Sequence, residues 1–332
     1  MVAAAAIKKG SLILAEAPLA SLDIGLTTLY NSNHFFDDKK KYNGTAALQT
    51  LHDSLKTSER KALNALFHKA GEGVSSIVAF NAFDYDEEVA GQKHCILRIY
   101  HDISRVNHSC QPNAVVEWNA NEGKGTIHAL VDIARQAEIN IGYMGRPDDF
   151  LRKAAPRQKD LLKHCGFQCA CIVCHNNGNA NSQNDNLRKD ALKLYKKLSD
   201  PQEQVDETEE DQRLRQITLA KGYVSALYRL ELKDGKLAFA KEKLAEYHEQ
   251  GYDFALATPA GEEHCDKCAN EQSPRWHLDE AAEALDETYR IHIRCCGKDH
   301  PIVKADEAKM RELSRVAAGL PSPVRPASDA ED

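Results

Sequence analysis

The spacing of apolar residues changes along the chain, and the change predicts strands in one part and helices in the other. Residues 7–19 predict a turn at Gly10, a short strand through two leucines and a proline stop. Residues 77–143 contain three further strand-like runs, AVVEW, TIHALV and INIGY. The loop NANEGKGT separates the first two runs and predicts a hairpin, with Gly123 and Gly125 supplying the turn.

Helical spacing of apolar residues marks three other stretches. Residues 46–70 predict two helices, with Thr57 and Ser58 as candidate caps of the second. Apolar residues keep the same spacing in residues 187–198 and 278–293. The C-terminal half is therefore expected to be helical, and it is compatible with paired helices of tetratricopeptide type, although no strict repeat is present.

Polar segments separate these elements. The asparagine-rich residues 175–186 predict a loop, and the acidic run at residues 200–211 predicts a second, solvated loop. The tail from about residue 316 combines small, charged and proline residues, and this composition predicts disorder.

The charge balance argues against some classes of function. The 332 residues include 43 Lys and Arg against 50 Asp and Glu, a formal net charge of −7. A protein that coats nucleic acid needs a basic surface, so we expect no direct nucleic-acid partner. No apolar run reaches the ~18 residues of a membrane span. Lys8 and Lys9 interrupt the N-terminal segment that would otherwise resemble a signal peptide, so we expect folded structure there and no membrane attachment.

Ten cysteines in a chain of this length favour a reducing compartment, nucleus or cytoplasm, with metal sites rather than disulfides. The motif Cys-x-Cys-x2-Cys at residues 169–174 offers three thiolates at a spacing that can bind one zinc ion. A structural zinc site needs a fourth ligand, for which Cys110, Cys165 and His175 are the candidates. Buried free thiols are the alternative interpretation.

A second group of cysteines is more ambiguous. Cys265 and Cys268 form a Cys-x2-Cys pair beside His264, and Cys295 and Cys296 follow later in the chain. The last two lie on a predicted helix, which favours buried thiols over a second zinc site.

Residues 105–113, RVNHSCQPN, form an unusual polar segment. They are too polar for a core strand, have no helical period and include a proline, so we expect an irregular segment whose side chains have assigned partners. Motifs for other chemistry are missing. The sequence GEG at 71–73 lacks the third glycine and the strand–turn–helix context of a dinucleotide site, and no Gly-x-Ser-x-Gly elbow occurs.

Several of these segments together resemble the SET-domain protein lysine methyltransferases, and most closely the SET-and-MYND type and its fungal relatives, here without the MYND module. RVNHSCQPNA is similar to the family's Asn-His-Ser-Cys-x-Pro-Asn segment, and AEINIGY to its Glu-Glu-Ile-Thr-Ile-x-Tyr strand. GFQCACIVC resembles the zinc segment that follows the domain. IKKGSLILAEAPL resembles the first SET strand, and IVAFNAF the strand before the Asn-His segment. The match covers about residues 1–175 in separate blocks.

The resemblance implies a fold class and a metal centre. The fold would be α+β, a SET domain of small β-sheets with a threaded C-terminal segment and a post-SET zinc site, followed by an α-helical domain. In the family, the cysteine of the Asn-His-Ser-Cys segment completes the later zinc site. The resemblance therefore implies that Cys110 joins Cys169, Cys171 and Cys174 around one ion.

The same resemblance implies a cofactor site. Asn107 and His108 would bind S-adenosylmethionine through backbone and side-chain hydrogen bonds, and Asn81 matches another cofactor-binding asparagine. Phe167 stands where the family brings an aromatic ring to the adenine. Tyr143 matches the tyrosine beside the methyl-transfer channel and is the candidate catalytic residue.

Three departures from the family pattern bear on activity. The family's Gly-x-Gly turn precedes its first strand, whereas this chain begins at Met1, about where that turn would end. If this chain is the complete protein, we expect weaker S-adenosylmethionine binding than in a chain extended by such a turn. A shortened gene model is the alternative explanation, and it would involve no loss of function. Gln136 and Ala137 replace the usual Gly-Glu before Glu138. Cys165 stands where relatives often place an aromatic residue of the lysine channel.

These patterns divide the chain into six segments. The first three are the N-terminally truncated first SET strands (residues 1–20), a helical insert (21–76) and the SET core (77–150). The last three are the post-SET zinc segment (151–178), the helical C-terminal domain (186–315) and the disordered tail (316–332). The apolar stripes of the helical domain need a surface to cover. We therefore expect that domain to pack over one side of the SET fold and to narrow the peptide groove.

The expected function is S-adenosylmethionine-dependent methylation of lysine in a histone or non-histone protein, by a monomer. The rival hypothesis is a SET-derived, zinc-binding scaffold that binds protein partners and has lost catalysis. The Gly-x-Gly departure supports the scaffold, whereas Asn107, His108 and Tyr143 oppose it.

Overall fold

The structure is a computed structural model, and it describes residues 1–25, 45–69, 71, 73–144, 147–175, 179–200, 208–257 and 273–319. The chain divides into two compact units. The first comprises Met1–Asp185 and Arg294–His300, and the second comprises Asn186–Ile293 and Pro301–Asp332. All strands of the described residues lie in the first unit, which confirms the predicted α+β class.

Small antiparallel sheets form the core of the first unit. β1 (Leu12–Glu16), β6 (Ala114–Asn119) and β7 (Lys124–Ala129) form one sheet in the order β1-β7-β6. The sequence pattern predicts all three strands, and the structure confirms them. Their apolar side chains enclose a core that includes the fully buried Tyr100 and Ile127.

A second sheet has the order β2-β4-β3 and contains β2 (Ala20–Asp23), β3 (Ala82–Val89) and β4 (Gln92–Ile99). The hairpin of β3 and β4 turns at Ala90 and Gly91, both with positive φ. This is the backbone geometry of a tight two-residue hairpin turn. This hairpin was not predicted because half of the residues of β3, AFDYDEEV, are charged, and the strand is only partly buried.

The glycines of the other hairpin have different roles from those predicted. Gly123 lies in the turn with φ +63°, as expected. Gly125 lies inside β7, where an added Cβ would come within 2.6 Å of the ring of Tyr100. Gly125 therefore permits the aromatic ring to approach the strand backbone closely, and it does not form the turn.

The segment resembling a strand, IVAFNAF, is mostly a helix. α3 (Gly73–Asn81) buries Ile77, Val78 and Asn81, with Val74 packed against the same core. These positions follow the i, i+3, i+4, i+7 spacing of one helical face, which outweighs the β-branched composition of the segment. The strand β3 begins only after Asn81.

The structure confirms the two helices predicted upstream. α1 spans Thr45–Ser54 and α2 spans Thr57–Asn64. The residue that precedes α2 is Lys56, whose backbone N–H donates to Glu59 Oε2 at 2.9 Å. The predicted threonine and serine caps are instead the first two helical residues.

Two very short strands position the polar segment RVNHSCQPN. β5 (Asn107–His108) and β8 (Asn140–Ile141) pair in parallel. The strand predicted over INIGY is therefore only two residues long. The Ser109 N–H continues the pairing by donating to the carbonyl of Ile141 at 2.9 Å, and the Ala3 N–H donates to the carbonyl of Ala137 at 3.0 Å.

Short helical turns follow the sheets in the first unit. They are α4 (Pro147–Phe150), α5 (Ala154–Asp160), a π-helical turn at Leu161–Cys165 and α6 (Ile172–His175). Gly166 ends the π-helical turn with φ +77°. This segment carries the predicted aromatic residue and three of the predicted metal ligands.

Long helices make up the described part of the second unit. They are α7 (Asn179–Ser199), which begins in the first unit, α8 (Glu209–Arg229), α9 (Gly235–Ala257), α10 (Pro274–Cys296), whose last turn belongs to the first unit, and α11 (Pro301–Ala318). α7 and α10 confirm the helical spacing found in the sequence.

Two predicted loops are partly helical. The asparagine-rich segment enters α7 at Asn179, although its composition favours turns. The end of the acidic run forms the first turn of α8, where the Thr208 hydroxyl accepts a hydrogen bond from the Asp211 N–H at 3.1 Å. Acidic residues stabilise the start of a helix because the backbone N–H groups there are partly positive.

Some predictions fall on residues that the structure does not describe. Cys265, Cys268 and most of the predicted tail lie outside the described residues, although α11 continues to Ala318. The packing of the helical domain over the SET fold stays a prediction. Of the helices that the structure describes, none is both long and apolar enough to cross a membrane.

Candidate metal centre and active site

Four cysteine side chains meet in the first unit. The Sγ atoms of Cys110, Cys169, Cys171 and Cys174 all lie within 4.8 Å of one another. Those of Cys110 and Cys174 are 3.6 Å apart. Of the three candidates for the fourth ligand, the cluster contains Cys110 and neither of the other two.

Two segments distant in sequence bring the sulfur atoms together. Cys110 follows β5 and is fully buried. The other three cysteines lie on the turn before α6 and on α6 itself. The side-chain amide of Gln158 on α5 holds this turn in place, since it donates to the Cys169 carbonyl at 2.6 Å and accepts from the Cys169 N–H at 2.8 Å.

Arg157, also on α5, lies against the sulfur cluster and is 0% exposed. Its Nε donates to Cys110 Sγ at 3.4 Å and its Nη2 to Cys174 Sγ at 3.6 Å. Its Nη1 donates to the carbonyl of Arg152. Burial would lower the pKa of this guanidinium, but the adjacent sulfur atoms of Cys110 and Cys174 raise it, so the group stays charged.

The donor set fits zinc. Four cysteine sulfur atoms without a carboxylate are the ligands of a structural tetrahedral site. The positive guanidinium favours thiolates over thiols at this place. Hydrogen bonding with Cys110 lowers the pKa of Cys174 to about 6 and also lowers that of Cys171, while hydrogen bonding with the other three cysteines raises the pKa of Cys110.

His108 links the sulfur cluster to Tyr143. The backbone N–H of Tyr143 donates to His108 Nδ1 at 2.9 Å, so Nδ1 carries no proton. The proton of the neutral ring is then on Nε2, which lies 3.3 Å from Cys110 Sγ and donates to it. Both ring nitrogens are therefore used inside the protein, so a hydrogen bond from His108 to a cofactor would have to use backbone groups.

Three rings form a small aromatic group beside the cluster. The centroids of His108 and Tyr143 are 5.3 Å apart, those of His108 and Phe167 are 6.1 Å apart, and those of Tyr143 and Phe167 are 6.2 Å apart. The Tyr143 and Phe167 planes are almost perpendicular, at 89°. Edge-to-face contacts of this kind favour a fixed ring arrangement.

The hydroxyl of Tyr143 donates to the carbonyl of Val106 at 2.7 Å. Burial raises the pKa of this hydroxyl to about 12, with smaller contributions from Cys165 and Glu138. Tyr143 is nonetheless 37% exposed overall, so the residue lies at a surface. At neutral pH it is a protonated, oriented hydroxyl rather than a base.

Glu138 supports the other predicted cofactor residue. The exposed Asn107 donates through Nδ2 to Glu138 Oε1 at 2.7 Å. Asn113 donates to the Glu138 carbonyl at 2.8 Å and accepts from the Asn140 N–H at 2.9 Å. These bonds join the segment after β5 to the strand β8 and orient the Asn107 amide.

Asn81 is placed differently. Its buried side chain donates to the carbonyls of Phe67 and Ile77 at 2.8 and 2.7 Å, and these bonds hold the end of α3. Its own carbonyl accepts from the Ser104 hydroxyl at 2.8 Å, close to the start of β5. The structure thus brings Asn107, His108, Tyr143 and Phe167 together with the cysteines, while the hydrogen bonds described for Asn81 are structural.

The residues that support this site were not predicted from the sequence. Arg157 and Gln158 contact cysteines 11 to 47 positions away in sequence, and no local pattern marks them. The signal that could have indicated Arg157 is its charge, because it lies within the predicted zinc segment at residues 151–178. Cys165 packs against the cluster, and burial raises the pKa of its thiol to about 11.

Comparison with known proteins agrees with the geometry. Residues 1–144 match the family described as SET domain. Over 92 residues, 28% of this chain, the sequence is 37% identical to the Schizosaccharomyces pombe protein named Histone-lysine N-methyltransferase set5 and 32% identical to Saccharomyces cerevisiae Histone-lysine N-methyltransferase SET5, covering 28% and 17% of those proteins. It is 29% identical over 138 residues to Danio rerio N-lysine methyltransferase SMYD2-B, covering 42% of this chain and 29% of the relative.

Each alignment thus spans less than a third of the relative's own length. The match of residues 1–144 includes the polar segment with Asn107, His108 and Cys110, and it ends just after Tyr143. The other three cysteines follow the matched region. Residues 1–144 therefore match a SET domain, and this part of the chain is similar to proteins that are lysine methyltransferases by name.

Proposed function

We propose that this protein transfers a methyl group from S-adenosylmethionine to a lysine side chain of another protein. The observation that carries the proposal is the adjacency of Tyr143, His108 and Phe167 to a four-cysteine cluster at the end of a SET domain. The similar proteins named above are lysine methyltransferases by name.

Zinc is the proposed metal, bound by Cys110, Cys169, Cys171 and Cys174. One of these ligands belongs to the segment after β5 and the other three to the segment before and within α6. A shared ion would fasten the second segment to the first, and Phe167, two residues before Cys169, would be held beside His108. The metal is therefore structural in this proposal and takes no part in the reaction.

The proposed cofactor contacts are Asn107, His108, Phe167 and Asn81. Asn107 offers an oriented amide at the surface, and Phe167 offers an aromatic face suited to an adenine ring. His108 would contribute backbone groups, because its ring nitrogens already have partners. Asn81 has the weakest support, since its amide nitrogen donates to two carbonyls.

S-adenosylmethionine would supply a methyl group on a positively charged sulfur. The neutral lysine amine would form a bond to the methyl carbon while the carbon–sulfur bond breaks, and the sulfur would leave as the neutral thioether. Tyr143 keeps its proton at neutral pH and already donates to a carbonyl, so its oxygen can accept a hydrogen bond from the lysine amine. This contact aligns the amine and requires no base on the tyrosine, so the protein acts mainly by orientation. Partial desolvation of the substrate lysine favours its neutral form.

Tyr143→Phe tests the catalytic assignment. The change keeps the ring and removes one hydroxyl, so we expect methyl transfer to slow by ~10- to 100-fold, the effect of losing one strong hydrogen bond at the reacting centre. Binding of S-adenosylmethionine, measured by calorimetry, should change by less than about threefold. Tyr228→Phe is the matched control, because Tyr228 is an exposed tyrosine of the second unit.

A turnover unchanged in Tyr143→Phe would contradict the assigned role. Calorimetry on the unaltered protein separates the two functional hypotheses, since absence of S-adenosylmethionine binding would favour the protein-binding scaffold. Core histones are the first substrates to test with labelled methyl donor, because two of the similar proteins are histone-lysine methyltransferases by name. A histone substrate would agree with a nuclear location.

A further inference from the structure

Arg157 is an unusual buried charge. It is 0% exposed, and its guanidinium hydrogen bonds go to two sulfur atoms and one backbone carbonyl. Among the described residues no carboxylate lies within ion-pair distance of it. Arg98, another buried arginine of the same unit, shows the usual arrangement, since it pairs with Glu87.

A guanidinium taken out of water needs a negative partner, because the desolvation penalty of an unpaired ion is several kcal/mol. The cysteine cluster is the only group in contact with Arg157 that can carry negative charge in the described structure. Four thiolates around one divalent ion have a net charge of 2−, and one guanidinium would neutralise half of it. The buried arginine and the metal-loaded cluster are therefore electrostatically complementary.

The position of Arg157 adds a geometric argument. Its Nε contacts Cys110, which belongs to the SET core, and its Nη2 contacts Cys174, which belongs to the segment after it. One rigid, planar group thus donates to one ligand from each side of the centre. A lysine in its place would keep the charge but not the paired donors.

We propose that Arg157 is the buried counter-charge of this metal centre and a positioning residue of the active site, because it stabilises the bound metal and so keeps the Phe167 segment closed. The inference uses the zinc centre of the proposed function and is independent of the methyl-transfer activity. Outer partners of metal ligands commonly change metal affinity by 10- to 100-fold when removed.

The test measures zinc release from the purified, zinc-loaded protein into a chromogenic chelator. We expect release to be slowest in the wild type, faster in Arg157→Lys and at least tenfold faster than wild type in Arg157→Met, which keeps apolar volume but has no charge or donors. Arg152→Met is the matched control. It removes an arginine of the same segment whose side chain pairs with Asp149 and Asp160, not with sulfur, so we expect near wild-type release.

Release from Arg157→Met at the wild-type rate would overturn the inference, as would equal acceleration in Arg152→Met, which would indicate general loosening of the segment. If Arg157→Met does not fold, Arg157→Lys decides, because wild-type release from the lysine variant would show that the forked donors are not needed. A wild-type protein that binds no zinc also overturns the inference. Methyl transfer, assayed separately on the same samples, can fail or succeed without affecting this result.

Discussion

The cysteine cluster of the first unit and a three-residue cluster of the second unit illustrate how similar geometry can have different chemistry. In the second unit, Glu242 of α9, His292 of α10 and Asp306 of α11 also place one potential ligand atom each within 4.8 Å of the others. By distance alone both groups are candidates for a metal ion.

Their partners distinguish them. In the second cluster His292 Nδ1 and Asp306 Oδ2 are 2.7 Å apart, and both residues are buried, so the ring and the carboxylate satisfy each other. The cysteine cluster offers a fourth potential ligand and adjoins the buried cation Arg157, which has no other negative partner among the residues that the structure describes. We therefore expect a metal ion at the cysteines and only an interhelical hydrogen-bonded pair at His292. Short distances between potential ligand atoms are therefore a weaker criterion for a metal site than a neighbouring buried charge that needs a partner of opposite sign.

The largest expected effect is loss of the metal in Cys110→Ala. Three ligands remain, so bound zinc should fall from about one per chain to near zero, and a structural zinc site can contribute ~10 kcal/mol or more of apparent folding energy. Metal content measured by mass spectrometry, together with hydrogen exchange of residues 154–175, checks both consequences.

Cys95→Ala is the control for that change. Cys95 lies on β4 of the same unit and outside the cluster, so its zinc content should equal that of the wild type. Full zinc content in Cys110→Ala would show that Cys110 is not a ligand. The contrast between a metal site at the cysteines and a hydrogen-bonded pair at His292 would then be lost.

Asp306→Ala tests the other side of the comparison. It leaves His292 buried without its partner, so we expect the free energy of unfolding to fall by ~3 kcal/mol, with zinc content unchanged. Asp279→Ala, which removes an exposed i,i+4 partner of Arg275 on α10, should lower it by less than ~1 kcal/mol. Urea unfolding gives both values, and loss of a bound metal in Asp306→Ala would show that this cluster is also a metal site.

Local sequence pattern predicted the parts of the fold with a local cause. The alternation in AVVEW and TIHALV and the leucine spacing in the helices follow from neighbouring residues, and the structure confirms them. Pairing between β5 and β8 joins residues more than thirty positions apart through two residues on each side, and no pattern marks such a contact. α3 was mistaken for a strand because its β-branched composition and the family resemblance outweighed its helical spacing.

The candidate site shows the same division. Spacing alone indicated three cysteines, and only the family resemblance singled out Cys110 as a fourth ligand. The resemblance also named His108 as a cofactor residue through backbone and side-chain hydrogen bonds, and that role stays a prediction. In the structure its ring nitrogens contact Tyr143 and Cys110. Arg157 was not predicted because neither its burial nor its contacts with Cys110 and Cys174 can be recognised from the sequence.

A pair of histidines predicts acid sensitivity in the second unit that does not depend on metal. His248 and His277 are buried with their Nδ1 atoms 3.1 Å apart, and burial lowers their pKa values to about 3 and about 4. Nearby Arg213 and Lys221 lower the pKa of His248 further, so its 3.7 Å approach to Glu280 is not an ion pair at neutral pH.

The direction in which stability changes with pH follows from the difference in bound protons between the folded and unfolded states. Unfolded histidine titrates near 6.5, so the unfolded state binds more protons than the folded state below that pH. Stability is therefore complete above pH 6.5 and decreases as the pH falls toward 4, by ~2–4 kcal/mol at pH 5. Hydrogen exchange of residues 235–257 at pH 7 and pH 5, with and without chelator, measures this. A His248→Gln variant should lose part of the dependence, and a chelator-dependent result would assign it to the metal centre instead.

The smallest effect concerns the backbone on which the first site depends. The second unit's cluster lies on regular helices, whereas the first site is built on loops, one of which has Gln136 at φ +67°. A non-glycine residue in this left-handed conformation costs ~1 kcal/mol, and glycine removes that strain while adding ~0.5–1 kcal/mol of entropy to the unfolded chain. Gln136→Gly should therefore leave the free energy of unfolding unchanged or raise it slightly.

Ala137→Gly is the control at a neighbouring position without positive φ, and it should lower the free energy of unfolding by ~0.5–1 kcal/mol. Urea unfolding of the two variants decides the point. Equal destabilisation by both glycines would show that the loop beside Glu138 is not strained and that the difference between the two regions lies in their side chains alone.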